Sequence, residues 1–191
     1  MQLLVVLAHP SPDSFCAAIA REVVAAGKAA GHAVDLWDLQ AEGFDPVMTA
    51  ADWHDYRTGT GGNATDLARL AAAEVLILIY PTWWGGPPAL LKGWFDRLWR
   101  PGVAFHLDQL ALRPGLTRLR HLGVVTPHGG PRWAAWLTGQ PGRRMVMRGL
   151  RVCAPKRCRT FWLAMYRAED GSDLHRAAFL ARVRRRMMTL R

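Results

Sequence analysis

Cysteine is scarce in this chain of 191 residues, which holds only Cys16, Cys153 and Cys158. Three thiols cannot close a disulfide framework and no CxxC pair offers a metal knuckle, so a reducing compartment is expected. Long apolar runs are also missing. Leu3 to Ala8 and Val75 to Tyr80 are the longest, far short of the roughly 20 residues that span a bilayer. Met1 to Ala8 lacks a basic n-region and runs straight into His9 and Pro10, which argues against a signal peptide. A soluble, cytoplasmic protein is expected. The loop from His9 to Cys16 lacks the GxGxxG and GKS patterns of dinucleotide and P-loop sites. His32, His54, His106, His121 and His175 form no metal-spaced cluster, so no metal is expected. With 50% hydrophobic and 21% charged residues, the composition also excludes a disordered chain.

Lysine is nearly absent from a chain whose net charge is +10, with 3 Lys against 22 Arg. The charge is unevenly spread. Residues 1–95 hold 5 Lys+Arg and 10 Asp+Glu, a net of −5, whereas residues 96–191 hold 20 and 5, a net of +15. Such asymmetry raises nucleic acid as a partner. The aromatic residues, however, cluster at strand ends and are not interleaved along the basic segments. The excess therefore reads as arginine-rich surface, and no nucleic-acid partner is expected.

What is present is an alternation of strands and helices. Leu3 to Ala8 is apolar without polar alternation, the pattern of a strand covered on both faces. Ser14 is placed to cap a helix presenting Phe15, Ile19, Val23 and Ala26, which Gly31 ends. Ala33 to Leu39 supplies a second strand. The polar stretch after it, including Thr58 to Gly62, reads as loop. Asp66 to Ala73 predicts a short helix, and Val75 to Tyr80 predicts the strongest strand. Pro87 and Pro88 open a helix carrying Leu91, Trp94, Phe95 and Leu98. His121 to Val125 and Thr160 to Met165 predict two further strands, with a helical stretch at Arg132 to Leu137 between them. Leu180, Val183, Met187 and Leu190 stripe a C-terminal helix. Together these elements predict an α/β fold over residues 1–191, one domain built as a doubly wound sandwich with a five-stranded parallel sheet.

In such a sheet ligands bind beyond the carboxyl ends of the strands, and three segments lie there. His9 to Cys16 ends at a helix N-terminus, where free N–H groups favour phosphate. Ser11, Ser14 and the His9 ring can add donors; an ordinary capped turn is the other reading. Pro81-Thr82-Trp83-Trp84-Gly85-Gly86 sets two indoles beside two glycines. That makes poor core material, but it allows close backbone approach to a flat heteroaromatic ring that a tryptophan stacks on or walls off. One of the two indoles is expected to pack across the helix start. Thr126 to Trp133 adds the backbone donors of Gly129 and Gly130, together with His128.

Residues 2–16, Tyr80-Pro-Thr-Trp-Trp-Gly and Leu91-Lys-Gly-Trp-Phe-Asp-Arg-Leu98 resemble the NAD(P)H:quinone oxidoreductases of the flavodoxin-like fold. Relatives of that family include drug-activity modulators, azoreductases and ancillary subunits of potassium-efflux systems. The resemblance runs through about residues 2–133. It implies a flavin, FAD with FMN as the alternative, and NADPH or NADH as reductant. It also implies ping-pong transfer to a quinone-like acceptor in a homodimer. His9, Ser14, Phe15 and Cys16 would hold the phosphate portion, with Cys16 standing where relatives often have Asn. Pro81, Thr82, Trp83, Trp84 and Gly85 would run along the ring, while Thr126, Gly129 and Gly130 would meet its pyrimidine edge.

There is a departure from the family pattern. Animal quinone reductases place a Tyr and a His after the Gly-Gly, but Leu137 to Gly142 has neither. His128 is the candidate catalytic substitute, and Trp133, the nearest aromatic, is the candidate substrate contact. The basic run Arg143, Arg144, Arg148, Arg151, Lys156, Arg157 and Arg159 would either select the NADPH 2′-phosphate or be solvated surface. A regulatory flavoprotein subunit in peripheral contact with a membrane transporter is the alternative to an enzyme.

Overall fold

The structure is a computed structural model that describes residues 1–108 and 111–191. Its strands are β1 (Gln2–Leu7), β2 (Ala33–Asp38), β3 (Val75–Ile79), β4 (Phe105–Asp108), β5 (Ala111–Pro114), β6 (His121–Pro127) and β7 (Arg159–Met165). Five of them form one parallel sheet in the order β2-β1-β3-β6-β7, and β4 pairs antiparallel with β5. The flavodoxin-like architecture expected from the alternation is therefore present. β3 is buried at every position and β6 at all but its last, so neither strand has a polar side. Sandwiching by helices accounts for those unbroken apolar runs.

One face of the sheet carries Leu3, Val5 and Ile77, covered by α1 (Phe15–Ala29) and α7 (Asp173–Met188). Phe179, Val183 and Met187 are the buried stripe of α7. The other face carries Leu4, Val6, Leu76 and Leu78, covered by α3 (Ala64–Ala72) and α4 (Ala89–Leu98) through Leu70, Leu91, Trp94 and Leu98. α5 (Arg132–Leu137) and α6 (Pro141–Arg144) follow β6 and continue through a π turn at Met145–Gly149 and a 3-10 turn at Leu150–Cys153. No helix among the described residues is long and apolar enough to cross a membrane.

Two elements correct the sequence reading. α2 (Ala50–Thr58) occupies part of the stretch taken as loop. None of its residues is buried, so no apolar periodicity marks it. Its ends hold it: Thr49 and Asp52 form a reciprocal capping box, and Gly59 at φ 71° closes it in the left-handed conformation. The β4–β5 hairpin was also unmarked, because none of its eight strand positions is buried.

Gly93 explains part of the Leu-Lys-Gly-Trp-Phe-Asp motif. A Cβ there would stand 2.3 Å from the Pro46 carbonyl oxygen, which belongs to the backbone of the β2–α2 connection. Gly93→Ala gains helix propensity but cannot relieve that contact. It is expected to lower stability by about 1–3 kcal/mol, read as a lower urea midpoint at unchanged m value.

Candidate functional site

β1, β3 and β6 end at one edge of the sheet and release their loops side by side. The Thr82 N–H donates to the Pro127 carbonyl at 2.9 Å, and Thr82 pairs with His128 as a parallel bridge beyond the strands. Thr82 Oγ1 lies 2.8 Å from Thr126 Oγ1 and 3.2 Å from His128 Nε2. In front of this seam opens a cleft of about 630 Å³. His9, Phe15, Cys16, Pro81, Thr82, Trp83, Trp84, Gly129 and Gly130 line it, so the structure brings together nine of the expected residues.

The remaining expected residues stand apart from that wall. Ser14 is the N-cap of α1 and accepts the Ala17 N–H at 3.1 Å. Thr126 is fully buried behind the seam. Gly85 and His128 border a smaller hollow of about 240 Å³ that shares Thr82, Trp84, Gly129 and Gly130 with the cleft. Trp133 does not reach the cleft. It sits on α5 at 66% exposure, where the helix turns it outward.

The two indoles are held by a tight turn. Trp83 and Gly86 exchange both backbone hydrogen bonds at 3.0 Å, while Trp84 and Gly85 adopt φ 50° and 78°. Left-handed φ at both central residues is the conformation of two-residue hairpin loops. It carries Trp84 wholly into solvent and leaves Trp83 at 48% exposure. At full exposure Trp84 cannot be the indole that packs across the helix start. Trp83 stands 6.2 Å, centroid to centroid, from the His9 ring.

The connection after β7 and the first turn of α7 contribute residues that the sequence reading passed over. Glu169 and Arg176 line the cleft. Glu169 Oε1 lies 3.2 Å from where a Gly129 Cβ would be, and Arg176 Nη2 donates to the Ala168 carbonyl at 3.5 Å. The Tyr166 ring packs against His128 with centroids 4.8 Å apart and planes tilted by 35°. The signal was available, since Tyr166 directly follows a strand whose carboxyl end lies at the same edge.

The family model described as flavodoxin-like fold matches residues 1–190. The chain belongs to this family. An uncharacterized NAD(P)H oxidoreductase of Escherichia coli K12 is 32% identical over 108 residues, covering 54% of this chain and 55% of that protein. NAD(P)H dehydrogenase (quinone) 1 of Cavia porcellus is 30% identical over 122 residues, covering 53% of this chain and 44% of that protein. The matches thus span about half the length of these relatives. Among solved structures, the NAD(P)H:quinone oxidoreductase of Methanothermobacter marburgensis has a TM-score of 0.85 at 25% identity, covering 100% of this chain and 99% of that one.

In this member of the flavodoxin-like family the basic run divides. Lys156, Arg157 and Arg159 lie at the start of β7, the opposite edge of the sheet from the cleft. Arg151 donates to the carbonyls of Ala154, Lys156 and Cys158. Topology therefore keeps these four away from a ligand in the cleft. Arg143 and Arg144 directly follow Gly142, whose N–H donates to the Gly85 carbonyl at 2.8 Å, which brings their backbone close to the tryptophan turn.

Burial sets the protonation of two site residues. It pushes the Cys16 thiol up to about 12, so Cys16 is a neutral wall and not a nucleophile. It lowers His128 to about 4, leaving a neutral imidazole near pH 7. Because an unfolded histidine titrates near 6.5, the unfolded state binds the extra proton between those values. Stability attributable to His128 is intact above pH 6.5 and is lost as pH falls toward 4. His128→Gln should flatten the fall of the thermal midpoint over that interval; an unchanged slope would remove His128 as its cause.

Proposed function

We propose that this chain is a flavin-dependent NAD(P)H oxidoreductase that reduces quinones or similar electrophiles in two-electron, ping-pong fashion. The observation that carries the reading is the pairing, across one cleft, of the half-exposed Trp83 with exposed Gly129 and Gly130. The N–H groups of those glycines donate to no protein acceptor among the described residues. A flat ring with hydrogen-bonding edges suits that combination of an indole wall and free backbone donors. The N–H groups of Phe15 and Cys16, at the start of α1, are likewise unused and suit a phosphate. FAD is preferred over FMN on the resemblance of the first loop to the quinone reductases, and either NADPH or NADH serves as reductant.

A bound flavin supplies two-electron transfer between a nicotinamide and an oxidised acceptor. The chain's own residues tune the surroundings. The Gly129 and Gly130 N–H groups and Arg176 favour negative charge at their edge of the cleft, and Glu169 opposes it. His128, neutral and 3.2 Å from Thr82, holds that hydroxyl and can pass a proton, but it supplies no fixed positive charge. The names borne by the E. coli and Cavia porcellus relatives favour an oxidoreductase over a transporter-bound regulatory subunit.

Incubation with FAD or FMN followed by desalting should leave a yellow protein. Its flavin absorbance should bleach with NADPH or NADH without oxygen and recover on adding a quinone. A colourless product after both flavins would sink the reading. Trp83→Ala and Trp84→Ala should each weaken flavin retention about tenfold, as expected for loss of aromatic stacking. Unchanged affinity removes that residue from the site.

A homodimer is part of this reading. Trp84, Trp133, Trp136 and Leu137 are all more than half exposed, and the α5 residues Ala134 and Ala135 border the same hollow as Trp84. An aromatic surface of this kind beside the cleft suits a second copy of the chain. Trp136→Glu should shift sedimentation from dimer toward monomer; a wild-type chain that sediments as a monomer defeats this part.

A further inference from the structure

A second cavity, of about 400 Å³, shares no residue with the cleft. It is closed in by α2, the first turn of α3 and the end of α4. Arg100, two residues beyond α4, lines it at 4% exposure. Its Nη2 donates to the Thr60 carbonyl, and its Nη1 rests against Gly62, where any Cβ would collide with it. No carboxylate oxygen among the described residues comes within 4.0 Å of this guanidinium. Arginine does not deprotonate in a protein, and a buried charge without a counter-charge is strongly unfavourable. The cavity beside it is where a counter-ion belongs.

The acids around the cavity are mostly engaged. Glu42 pairs with Arg69 at 2.8 Å, and Asp45 accepts the Val47 N–H at 2.9 Å. Asp52 is held by Thr49 and by Arg97 at 3.2 Å. Asp66 remains, half-buried, and burial raises its carboxyl above the ordinary range. These groups repel a ligand bearing more than one negative charge. The rest of the lining is mixed: Tyr56, Asn63 and Arg97 are polar, while Trp37, Phe44, Met48, Leu67 and Leu98 give it an apolar portion. We propose that this cavity binds a small aromatic monocarboxylate, with the carboxylate on Arg100 and the ring against Phe44 and Leu67. The site is separate from the flavin cleft and does not depend on the oxidoreductase reading.

Calorimetric titration of the purified full chain, with and without added FAD, tests this with benzoate, phenylacetate, neutral benzamide and inorganic phosphate. The two aromatic acids should bind with the same affinity whether or not FAD is present, and benzamide about tenfold more weakly or worse, as expected for loss of a charge-assisted bond. Arg100→Met should weaken benzoate by a similar factor. Met48→Trp, which adds bulk at another lining residue, should also weaken it while flavin retention stays unchanged. Benzamide binding as tightly as benzoate, phosphate binding more tightly, or no measurable binding of either acid overturns the proposal. So does displacement of benzoate by FAD, which would place the acid in the cleft. If Arg100→Met does not fold, the Met48→Trp result and the benzoate–benzamide comparison decide.

Discussion

The candidate site depends on the backbone hydrogen bond from Thr82 to the Pro127 carbonyl, formed beyond the end of β3 and at the last residue of β6. A parallel pair normally diverges at its carboxyl end as each chain turns toward its helix. Here the pairing is carried further and backed by side chains, since Thr82 Oγ1 meets both Thr126 and His128. The tryptophan turn and the Gly129-Gly130 segment are thereby set at a fixed separation. The fully buried Thr126 hydroxyl and the neutral His128 ring belong to this clamp. Their polar atoms are satisfied by each other through Thr82, which makes the seam tolerable in a dry environment.

The same sheet sorts charge. Residues preceding β6 and β7 and those ending α7 all lie at the amino-terminal edge, and this includes Arg118, Arg120, Arg157, Arg159, Arg185, Arg186 and Arg191. The Arg159 N–H donates to the Arg120 carbonyl at 2.8 Å, and His121 Nε2 lies 2.9 Å from the Arg191 carbonyl oxygen. Crowding is felt there: burial, then the charge of Arg159, lowers Arg186. Seven of the 20 downstream basic residues are thus expressed at the pole opposite the cleft. The field inside the cleft is set by Glu169 of the β7–α7 connection, by Arg176 in the first turn of α7, and by backbone dipoles. Bulk charge and site charge are separate properties of this fold.

That separation also explains what was legible in the sequence. The central strands β1 and β3 announce themselves because burial on both faces leaves no polar residue in runs such as Val75 to Ile79, whereas the edge strands β2 and β7 are only partly buried. α1, α4 and α7 announce themselves because each buries one stripe. α2 and the β4–β5 hairpin bury nothing, so their periodicity carries no information, and only the caps Thr49, Asp52 and Gly59 mark the helix. The three expected loops converge because strand ends in an open parallel sheet share an edge. Tyr166 and Glu169 were missed because they look like ordinary polar turn, and Arg176 because it looks like the polar face of a helix; only the spatial neighbour relation of β6 and β7 brings them in. Trp133 failed for the converse reason: proximity in sequence to Gly130 does not survive the direction in which α5 leaves.

Trp84 is the residue whose placement folding alone does not account for. A bulky residue in the left-handed region is strained by about 1–3 kcal/mol, and Asn or Gly would fill that turn position more easily. Its ring gains no burial in return, being at 105% exposure. The turn is nevertheless well determined, with two backbone bonds across it and Gly142 donating to the Gly85 carbonyl beneath. A rigid support that displays an indole at the mouth of a cleft is the arrangement expected when the indole's contacts lie outside its own chain. The free N–H pair at Gly129-Gly130 and the outward tryptophans of α5 are of the same kind. All three are unused capacities on one side of the molecule, and a ring in the cleft with a second chain over α5 would use them together.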